Sequence, residues 1–460
     1  MSTHATTPIL IAGGGPAGIA ILLAASRIGQ LPHLLDAGVT LVEQGSTIGS
    51  GMLGRYVINS DSAAETFVDA ITANPVPELA RLTHHPLVEM IRSQGRQPLP
   101  LRIVADFLDV VGHVLTELIA AHPASRLLTG WRLETLTRQD DGGWLADLAT
   151  TRGAHSQQIV AGKVVLALGA CQPQTRLYTE NVAGRPLLPR YKGRIVQSDA
   201  LLAPEGMHTL RAMLAGCEKP RITIIGGASS ALSSANVILR DMGERIAPGH
   251  LTLLHQSRLK LFYRTAEEAK ADGYADFNDG DICPVSQFVH RFGGLRYDSR
   301  TLAMRLLGIA GAAPEPRLHE LQMTPDNTAR IQHILDHSDA IIACLGYSPR
   351  RVRVHNTSGQ PVALAVDEPH GALTGPNCGV LDQAGHEIPG LFGIGLASGF
   401  RPSGAMGGEA SFRGQVNSLW LWQNAIGERI LTQILPFSAR ARSSPIPTRP
   451  FDLARGHVHL

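Results

Sequence analysis

Two glycine-rich turns contain the residues of this chain that are best suited to bind a reactive cofactor. The first spans residues 13–18 and has the complete G-x-G-x-x-G pattern. It follows the apolar run 8–12, which predicts a strand, and precedes residues 19–28, which predict a helix. Such a turn lets the backbone approach a pyrophosphate, while the helix N-terminus supplies amide donors. The residues predicted to contact a dinucleotide here are Gly13, Gly15, Pro16, Ala17 and Gly18.

An acidic residue follows the first turn at the end of a second short apolar strand. Residues 39–43 predict that strand, which ends in Glu43, with Gln44 next to it. A carboxylate at this position can accept hydrogen bonds from ribose hydroxyls. The acid lies further from the turn than usual, and the loop 29–38 accounts for the excess. We therefore predict that Glu43 and Gln44 bind the same dinucleotide.

The second turn, residues 226–231, repeats this plan with alanine at two glycine positions. Its second strand, 251–255, ends without a carboxylate, and basic residues, among them Arg264, follow. A carboxylate would repel a 2′-phosphate, whereas arginine can pair with it, so NADPH is favoured over NADH. The alternative is that these basic residues only form a solvated surface. The residues predicted to bind this cofactor are Gly226, Gly227, Ala228, Ser229, Ser230 and Arg258.

The two turns and the strands around them predict the architecture. We expect an α/β fold with two Rossmann-like, glutathione-reductase-like dinucleotide-binding domains, the second inserted into the first. FAD and a nicotinamide cofactor are the usual pair in such a chain. The predicted segments are an FAD domain in two parts, 1–200 and 347–440, an NAD(P)H domain, 201–346, and a loosely packed tail, 441–460.

Composition excludes several classes of function. The net charge of +2 is spread along the chain without a basic block, so nucleic acid is not an expected partner. The N-terminus has no basic region before its short apolar stretch, which predicts a cytoplasmic protein without a membrane span. The five cysteines are scattered, with neither metal-ligand spacing nor a C-x-x-C pair, so we expect no metal. The sequence leaves open whether the chain is a monomer or a homo-oligomer.

Three segments resemble motifs of the class B flavoprotein monooxygenases, which include amine and amino-acid N-hydroxylases and Baeyer–Villiger enzymes. Residues 191–198 resemble the family's aromatic-x-G-x-x-x-H-S segment, with Gln197 in place of histidine, a departure that argues against the Baeyer–Villiger branch. Residues 339–349 are similar to the N-hydroxylase D-x-x-x-x-A-T-G-Y motif. Residues 391–399 resemble the third flavin motif, with Leu396 replacing the aspartate that holds the ribityl chain.

The resemblance also implies further cofactor contacts. Backbone donors at the start of a closing helix, predicted over residues 409–430, would compensate for the missing aspartate. Many relatives place an arginine near the flavin where Arg102 opens a helix, although a surface salt bridge is an equal alternative here. The polar loop 59–62 either faces the flavin ring or is an ordinary turn. The residues added in this way are Arg102, Gln197, Ser198, Gly346, Gly395, Gly407 and Gly408.

The resemblance implies an NADPH-dependent FAD monooxygenase. NADPH would reduce FAD, and the reduced flavin would activate O2 as a flavin (hydro)peroxide that oxygenates a small molecule, with an amine or amino-acid nitrogen as the favoured target. No catalytic acid or base is assigned. Two alternatives stay open: an NAD(P)H:acceptor oxidoreductase without oxygen insertion, and a nucleotide-binding sensor that is not an enzyme. The substrate is not predicted, because pocket loops carry no readable code.

Overall fold

A large mixed sheet forms the framework of the first unit. The computed structural model describes residues 5–153, 155–368 and 371–435, so the predicted tail 441–460 lies outside the described residues. At the centre of the sheet, the first strand pairs in parallel with its neighbours on both sides, and an antiparallel meander extends one edge. The strands in chain order are Ala5–Ala12, Val39–Glu43, Arg126–Thr129, Trp131–Arg138, Trp144–Thr150, Ser156–Leu166, Arg353–His355, Gly379–Leu381 and Glu387–Gly393.

A second, all-parallel sheet forms the other unit. Its three central strands are almost entirely buried, as expected when helices cover both faces of a parallel sheet, whereas the two edge strands are partly exposed. Short two-stranded ladders join Asn59–Ala63 to Pro98–Pro100 and Ala170–Cys171 to Ser348–Pro349. The strands of the second sheet, in spatial order, are Ile195–Gln197, Ala340–Ala343, Ile222–Ile225, Leu251–His255 and Leu318–Gln322.

The chain order of the strands confirms the predicted fold class. Strands of the first sheet come from both sides of the segment that forms the second sheet, so one dinucleotide unit is inserted into the other. One element crosses a predicted boundary. Strand Ile195–Gln197 precedes residue 200, but it pairs with Ala340–Ala343 in the second sheet.

Helices pack on both sheets. Among the described residues, no single helix is long and apolar enough to cross a membrane; only Pro16–Arg27 and Leu31–Ala37 taken together reach that length and composition, and they are bent by 118°. The helices are Pro16–Arg27, Leu31–Ala37, Ala64–Phe67, Pro77–Arg81, Pro86–Ser93, Leu101–Ala120, Thr175–Thr179, Ser198–Leu201, Gly206–Met213, Ser229–Met242, Ala266–Ala271, Tyr297–Leu307, Thr328–Asp336, Leu419–Leu421, the π-helical Trp422–Ile426 and Gly427–Ile434.

The closing helix begins later than the sequence predicts. Helical structure starts at Leu419 and continues, through a kink at Asn424, to Ile434, whereas residues 407–417 are irregular. The reason is local: residues 399–408 hold four glycines and a proline, and Glu409 caps other backbone instead of opening a helix.

The helix Leu101–Ala120 packs closely on the segment that covers the first glycine turn. A Cβ added at Gly112 would lie 1.9 Å from the Ile48 carbonyl oxygen. The segment that begins at Ile48 in turn covers the turn, since the Gly49 N–H donates to the Gly14 carbonyl oxygen at 2.9 Å. Glycine at position 112 therefore sets how closely this segment packs above the turn.

Replacing Gly112 by alanine should destabilise the protein, because the backbone of residue 48 must move away. We expect a loss of about 1–3 kcal/mol, which exceeds the gain from alanine's better helix propensity. The matched control is Gly216→Ala, because a Cβ there meets no atom within 4 Å. Thermal unfolding midpoints measure both changes. Equal midpoints for the two variants would contradict the close packing at Gly112.

Candidate active site

The first glycine turn has the backbone geometry of a dinucleotide cradle. Gly13 has a φ of +105°, and a Cβ there would lie 2.2 Å from the Ala167 carbonyl oxygen. A Cβ at Gly18 would lie 1.8 Å from the Gly13 carbonyl oxygen, so the helix can pack on the turn only without a side chain. Gly15 differs, because a Cβ there makes only an ordinary 3.4 Å contact with Gly51. Its open side faces the cleft described below.

Glu43 is buried and braces the turn. Its carboxylate accepts hydrogen bonds from the Gly14 N–H at 2.7 Å and from the Gly45 N–H at 2.6 Å. Both bonds satisfy a charge that would otherwise be costly to bury. The sequence predicts a ligand contact for this residue but not its backbone partners.

The second turn tolerates its alanines because the tight positions are still glycine. Gly226 has a φ of +141°, and a Cβ at Gly227 would lie 2.9 Å from the Cβ of His255. Ala228 has an ordinary φ of −101° and precedes the first residue of helix Ser229–Met242. The helix therefore begins at the turn, and its first residues line the cleft described below.

One cleft of about 2240 Å³ runs past both turns. Roughly half of the predicted cofactor residues line it, and the others lie behind or outside its wall. Those that line the cleft are Gly13, Gly15, Pro16, Ala17, Glu43, Gln44, Ala228, Ser229, Ser230 and Gly346. Those that do not are Gly18, Arg102, Gln197, Ser198, Gly226, Gly227, Arg258, Gly395, Gly407 and Gly408.

Two predicted arginines point to solvent. The Arg102 side chain is 73% exposed and pairs with Asp106 at 3.0 Å, one helical turn later. Arg258 is 71% exposed and pairs with Asp276. The structure thus gives both residues carboxylate partners at the surface. Arg264, further along the same segment as Arg258, lines the cleft instead.

The glycines predicted to donate to a flavin from the closing helix lie elsewhere. The Gly408 N–H donates to the Sγ of Cys283 at 3.2 Å, and Gly407 lies next to it, well before the first helical residue. Gln415 to Leu419 line the cleft where the closing helix begins. The helix N-terminus therefore does face the cleft, but through residues that the sequence did not indicate.

The remaining predicted residues support the wall from behind. A Cβ at Gly395 would lie 2.9 Å from the Cβ of Ala17, so this glycine lets the strand end pack on the first turn, and Leu396 reaches the cleft. Ser198 is buried and accepts a hydrogen bond from the Gln172 amide at 2.7 Å. Gln197 precedes it as the last residue of its strand.

A tyrosine–aspartate cluster, which the sequence does not predict, joins the two units. Tyr56 donates to Asp199 at 2.5 Å, and Tyr347 donates to the same carboxylate oxygen at 3.2 Å. Both tyrosines line the cleft. Burial, followed by the hydrogen bond to Asp199, raises the pKa of Tyr56 to about 12, and burial raises the pKa of Tyr347 as well. The cluster holds together loops that are far apart in sequence.

Asp61 faces the second turn from the strand Asn59–Ala63, which the sequence indicated as a polar loop. Its carboxylate accepts a hydrogen bond from Ser229, at the start of the helix, and lies within electrostatic range of Arg296. The Asp61 side chain lines the cleft and is solvent-accessible, although protein atoms surround it on most sides. Enclosure raises the pKa of Asp61 and lowers that of Arg296 to about 10. This strand therefore forms part of the cleft wall.

The side chains that could ligate a metal are dispersed in the part of the chain that the structure describes. Within it, no group of three or more histidine, cysteine, aspartate or glutamate side chains could hold an ion. The five cysteines are free thiols.

Replacing Tyr56 by phenylalanine should cost about 1 kcal/mol of stability at neutral pH, because a half-buried hydrogen bond is lost. The neutral phenol stabilises the fold fully below pH about 10, the pKa of an unfolded tyrosine. That stabilisation is lost as the pH rises through about 12. The difference in free energy of unfolding between wild type and variant should therefore shrink over this range, as urea denaturation can measure.

The control for this experiment is Tyr178→Phe, which removes the hydroxyl of an exposed tyrosine. We expect no difference from wild type at neutral pH. A stability difference for Tyr56→Phe that stays constant as the pH rises would contradict the proton linkage.

Comparison with known proteins shows which family the chain belongs to. No protein-family model matches the chain. A curated CMP-5′-(3-aminopropyl)phosphonate hydroxylase from Streptomyces rubellomurinus is 30% identical over 444 residues, which cover 94% of this chain and 98% of that protein. The match therefore extends over nearly the full length of both chains.

Solved structures share the fold. A cadaverine monooxygenase from Erwinia amylovora has a TM-score of 0.56 at 11% identity, over 99% of this chain and 100% of that one. An L-lysine 6-monooxygenase from Pseudomonas syringae has a TM-score of 0.52 at 17% identity, covering 95% and 100%. An ornithine N-hydroxylase from Kutzneria has a TM-score of 0.51 at 13% identity, covering 93% and 99%. With two glycine turns on one cleft and a full-length hydroxylase relative, the chain belongs to the class B flavoprotein monooxygenase family.

Proposed function

We propose that this protein is an NADPH-dependent FAD monooxygenase that oxygenates an amine nitrogen of a small molecule. The observation that carries the proposal is the single cleft of about 2240 Å³ lined by both glycine turns. A hydride can pass between two dinucleotides only if their reactive rings meet, and a shared cleft allows that contact. The family membership supports oxygen as the electron acceptor.

The first turn fits the pyrophosphate of FAD. Gly15 leaves open the space that a side chain would fill, and helix Pro16–Arg27 begins directly after it. The exposed N–H groups and dipole of such a helix N-terminus favour a phosphate. Glu43 and Gln44 line the same part of the cleft and are proposed to bind the ribose.

The second turn is proposed to hold NADPH. Ser229 and Ser230 line the cleft at the start of helix Ser229–Met242, where the backbone N–H groups of the first helical turn are available to a phosphate. Arg264 supplies a positive charge on the cleft wall, whereas Arg258 would first have to release Asp276. We therefore favour Arg264 over Arg258 as the partner of a 2′-phosphate.

The proposed reaction balances as a monooxygenation. Bound FAD, reduced by NADPH, supplies the activation of O2. One oxygen atom is inserted into an N–H bond of the amine, which gives a hydroxylamine. The other oxygen atom is reduced by the hydride of NADPH and leaves as water with one further proton from solvent. The chain's own residues orient the amine and exclude bulk water, tasks for which the cleft's aromatic and apolar walls are suited.

The names of the relatives support an alkylamine as the substrate. Lysine, cadaverine and ornithine each carry an amine on a short carbon chain, and so does the aminopropyl group of the Streptomyces hydroxylase's substrate. An acceptor oxidoreductase without oxygen insertion is not favoured, because these relatives are hydroxylases or monooxygenases.

Turnover with isotopically labelled O2 tests the proposal. The flavin-loaded enzyme, NADPH and a panel of amines (lysine, ornithine, cadaverine, 3-aminopropylphosphonate and its CMP ester) should yield one hydroxylamine that carries a single labelled oxygen. Mass spectrometry detects the product, and NADPH consumption should rise with that amine. Anaerobic reduction of a quinone, with no oxygenated amine from the panel, would contradict the proposal.

Replacing Gly15 by alanine tests the FAD cradle separately. The added Cβ makes only an ordinary contact within the protein, so the fold should be retained. It would occupy space that the pyrophosphate needs, and we expect FAD affinity to fall by about tenfold or more. Flavin absorbance of the purified variant, with Gly216→Ala as control, measures the effect. Full flavin content in the Gly15→Ala variant would place the pyrophosphate elsewhere.

A further inference from the structure

A second, smaller cavity lies beside the cleft and is called the side chamber. Residues between 401 and 413, which precede the closing helix, form most of its wall. Its volume is about 320 Å³, at the lower end of the roughly 300–1,000 Å³ of typical ligand pockets. Four residues belong to both walls, so the chamber adjoins the cleft. The shared residues are Phe292, Arg401, Phe412 and Arg413.

The chamber carries positive charge that its own carboxylate does not neutralise. Among the described residues, Arg401 has neither a hydrogen-bond nor an ion-pair partner, and Arg413 donates only to the Ala410 carbonyl oxygen, at 2.7 Å. Glu409 also lines the chamber, but its carboxylate accepts the N–H groups of Phe292 and Gly293 at 3.0 and 2.8 Å. The Glu409 carboxylate is therefore bound to backbone N–H groups and not to either arginine. Two guanidinium groups remain available to an anion.

The floor of the chamber is aromatic. The rings of Phe292 and Phe412 lie 5.9 Å apart at a tilt of 43°, and Pro284 and Pro402 complete the apolar surface. The guanidinium of Arg291 lies 4.8 Å from the Phe292 ring and adds a third positive charge close by. An aromatic surface edged by arginines can pack against a planar base and pair with an attached phosphoryl group.

We propose that this chamber binds the phosphorylated, nucleotide-like end of the amine substrate. Arg401 and Arg413 pair with its phosphate or phosphonate, and Phe292 and Phe412 contact its base. The amine end extends into the cleft, along the wall formed by Gln415 to Leu419. This assignment rests on the proposed function and names the substrate class: an alkylamine linked to a nucleoside phosphate or phosphonate.

Calorimetric titration of the flavin-loaded protein tests the chamber without turnover. The protein is first saturated with NADP⁺, so that the dinucleotide site is filled, and then titrated with cytidine 5′-monophosphate, cytidine or inorganic phosphate. We expect the monophosphate to bind more tightly than either fragment. Arg401→Gln and Arg413→Gln should each weaken that binding by about tenfold or more, the loss of one charged hydrogen bond.

The control for charge is Arg152→Gln. Arg152 is exposed, follows the strand Trp144–Thr150 and lines neither cavity. It should leave binding of the monophosphate unchanged. Since Arg401 is exposed and has no partner among the described residues, its substitution should preserve folding and flavin content.

Three outcomes would overturn the assignment: competition of the monophosphate with NADP⁺, equal affinity of wild type and Arg401→Gln, or binding no tighter than that of inorganic phosphate. A failure of the proposed function is distinguishable. In that case no amine is oxygenated, whether or not the monophosphate binds in the chamber. Oxygenation of an amine without a phosphoryl group at the same kcat/KM as its nucleotide ester would remove only the inference.

Discussion

The structure depends on backbone packing around the first glycine turn, which only residues without side chains allow. Helix Pro16–Arg27 lies against the turn through Gly18, and helix Leu101–Ala120 reaches the covering segment through Gly112. Glu43 then fixes the turn by accepting two backbone N–H groups. Five elements thus pack closely at one point: the strand, the turn, the covering segment and two helices. This packing fixes the position of the turn in the cleft wall.

The two units are held in register by polar contacts at the chain crossings. Asp199 lies where the chain enters the second unit, and Tyr347 lies where it returns to the first. Tyr56 comes from the loop above the first turn. Shared hydrogen bonds to one carboxylate connect these three points across the cleft. This small polar cluster therefore contributes, together with apolar packing, to the spacing of the two glycine turns.

Sequence reasoning succeeds where local chemistry decides the structure. The glycine turns, their strands and helix Ser229–Met242 are encoded by short-range patterns, and the structure confirms them. It fails where tertiary context decides the direction of a side chain. Arg102 and Arg258 find surface carboxylates, and Gly408 donates to a cysteine more than 100 residues away in sequence, at Cys283. Tyr56 and Asp199 are likewise too far apart in sequence for any local pattern to pair them.

The bond between Glu409 and the backbone of residues 292–293 has an evolutionary consequence. It ties the loop that supplies Phe292 to the loop that supplies Arg401 and Phe412, so the two form a single wall. A substitution at Glu409 would remove these two part-buried backbone hydrogen bonds and so loosen both loops together. Because the two loops are linked, a change of substrate would require compensating substitutions in both. We therefore expect the residues of this wall to vary together in evolution.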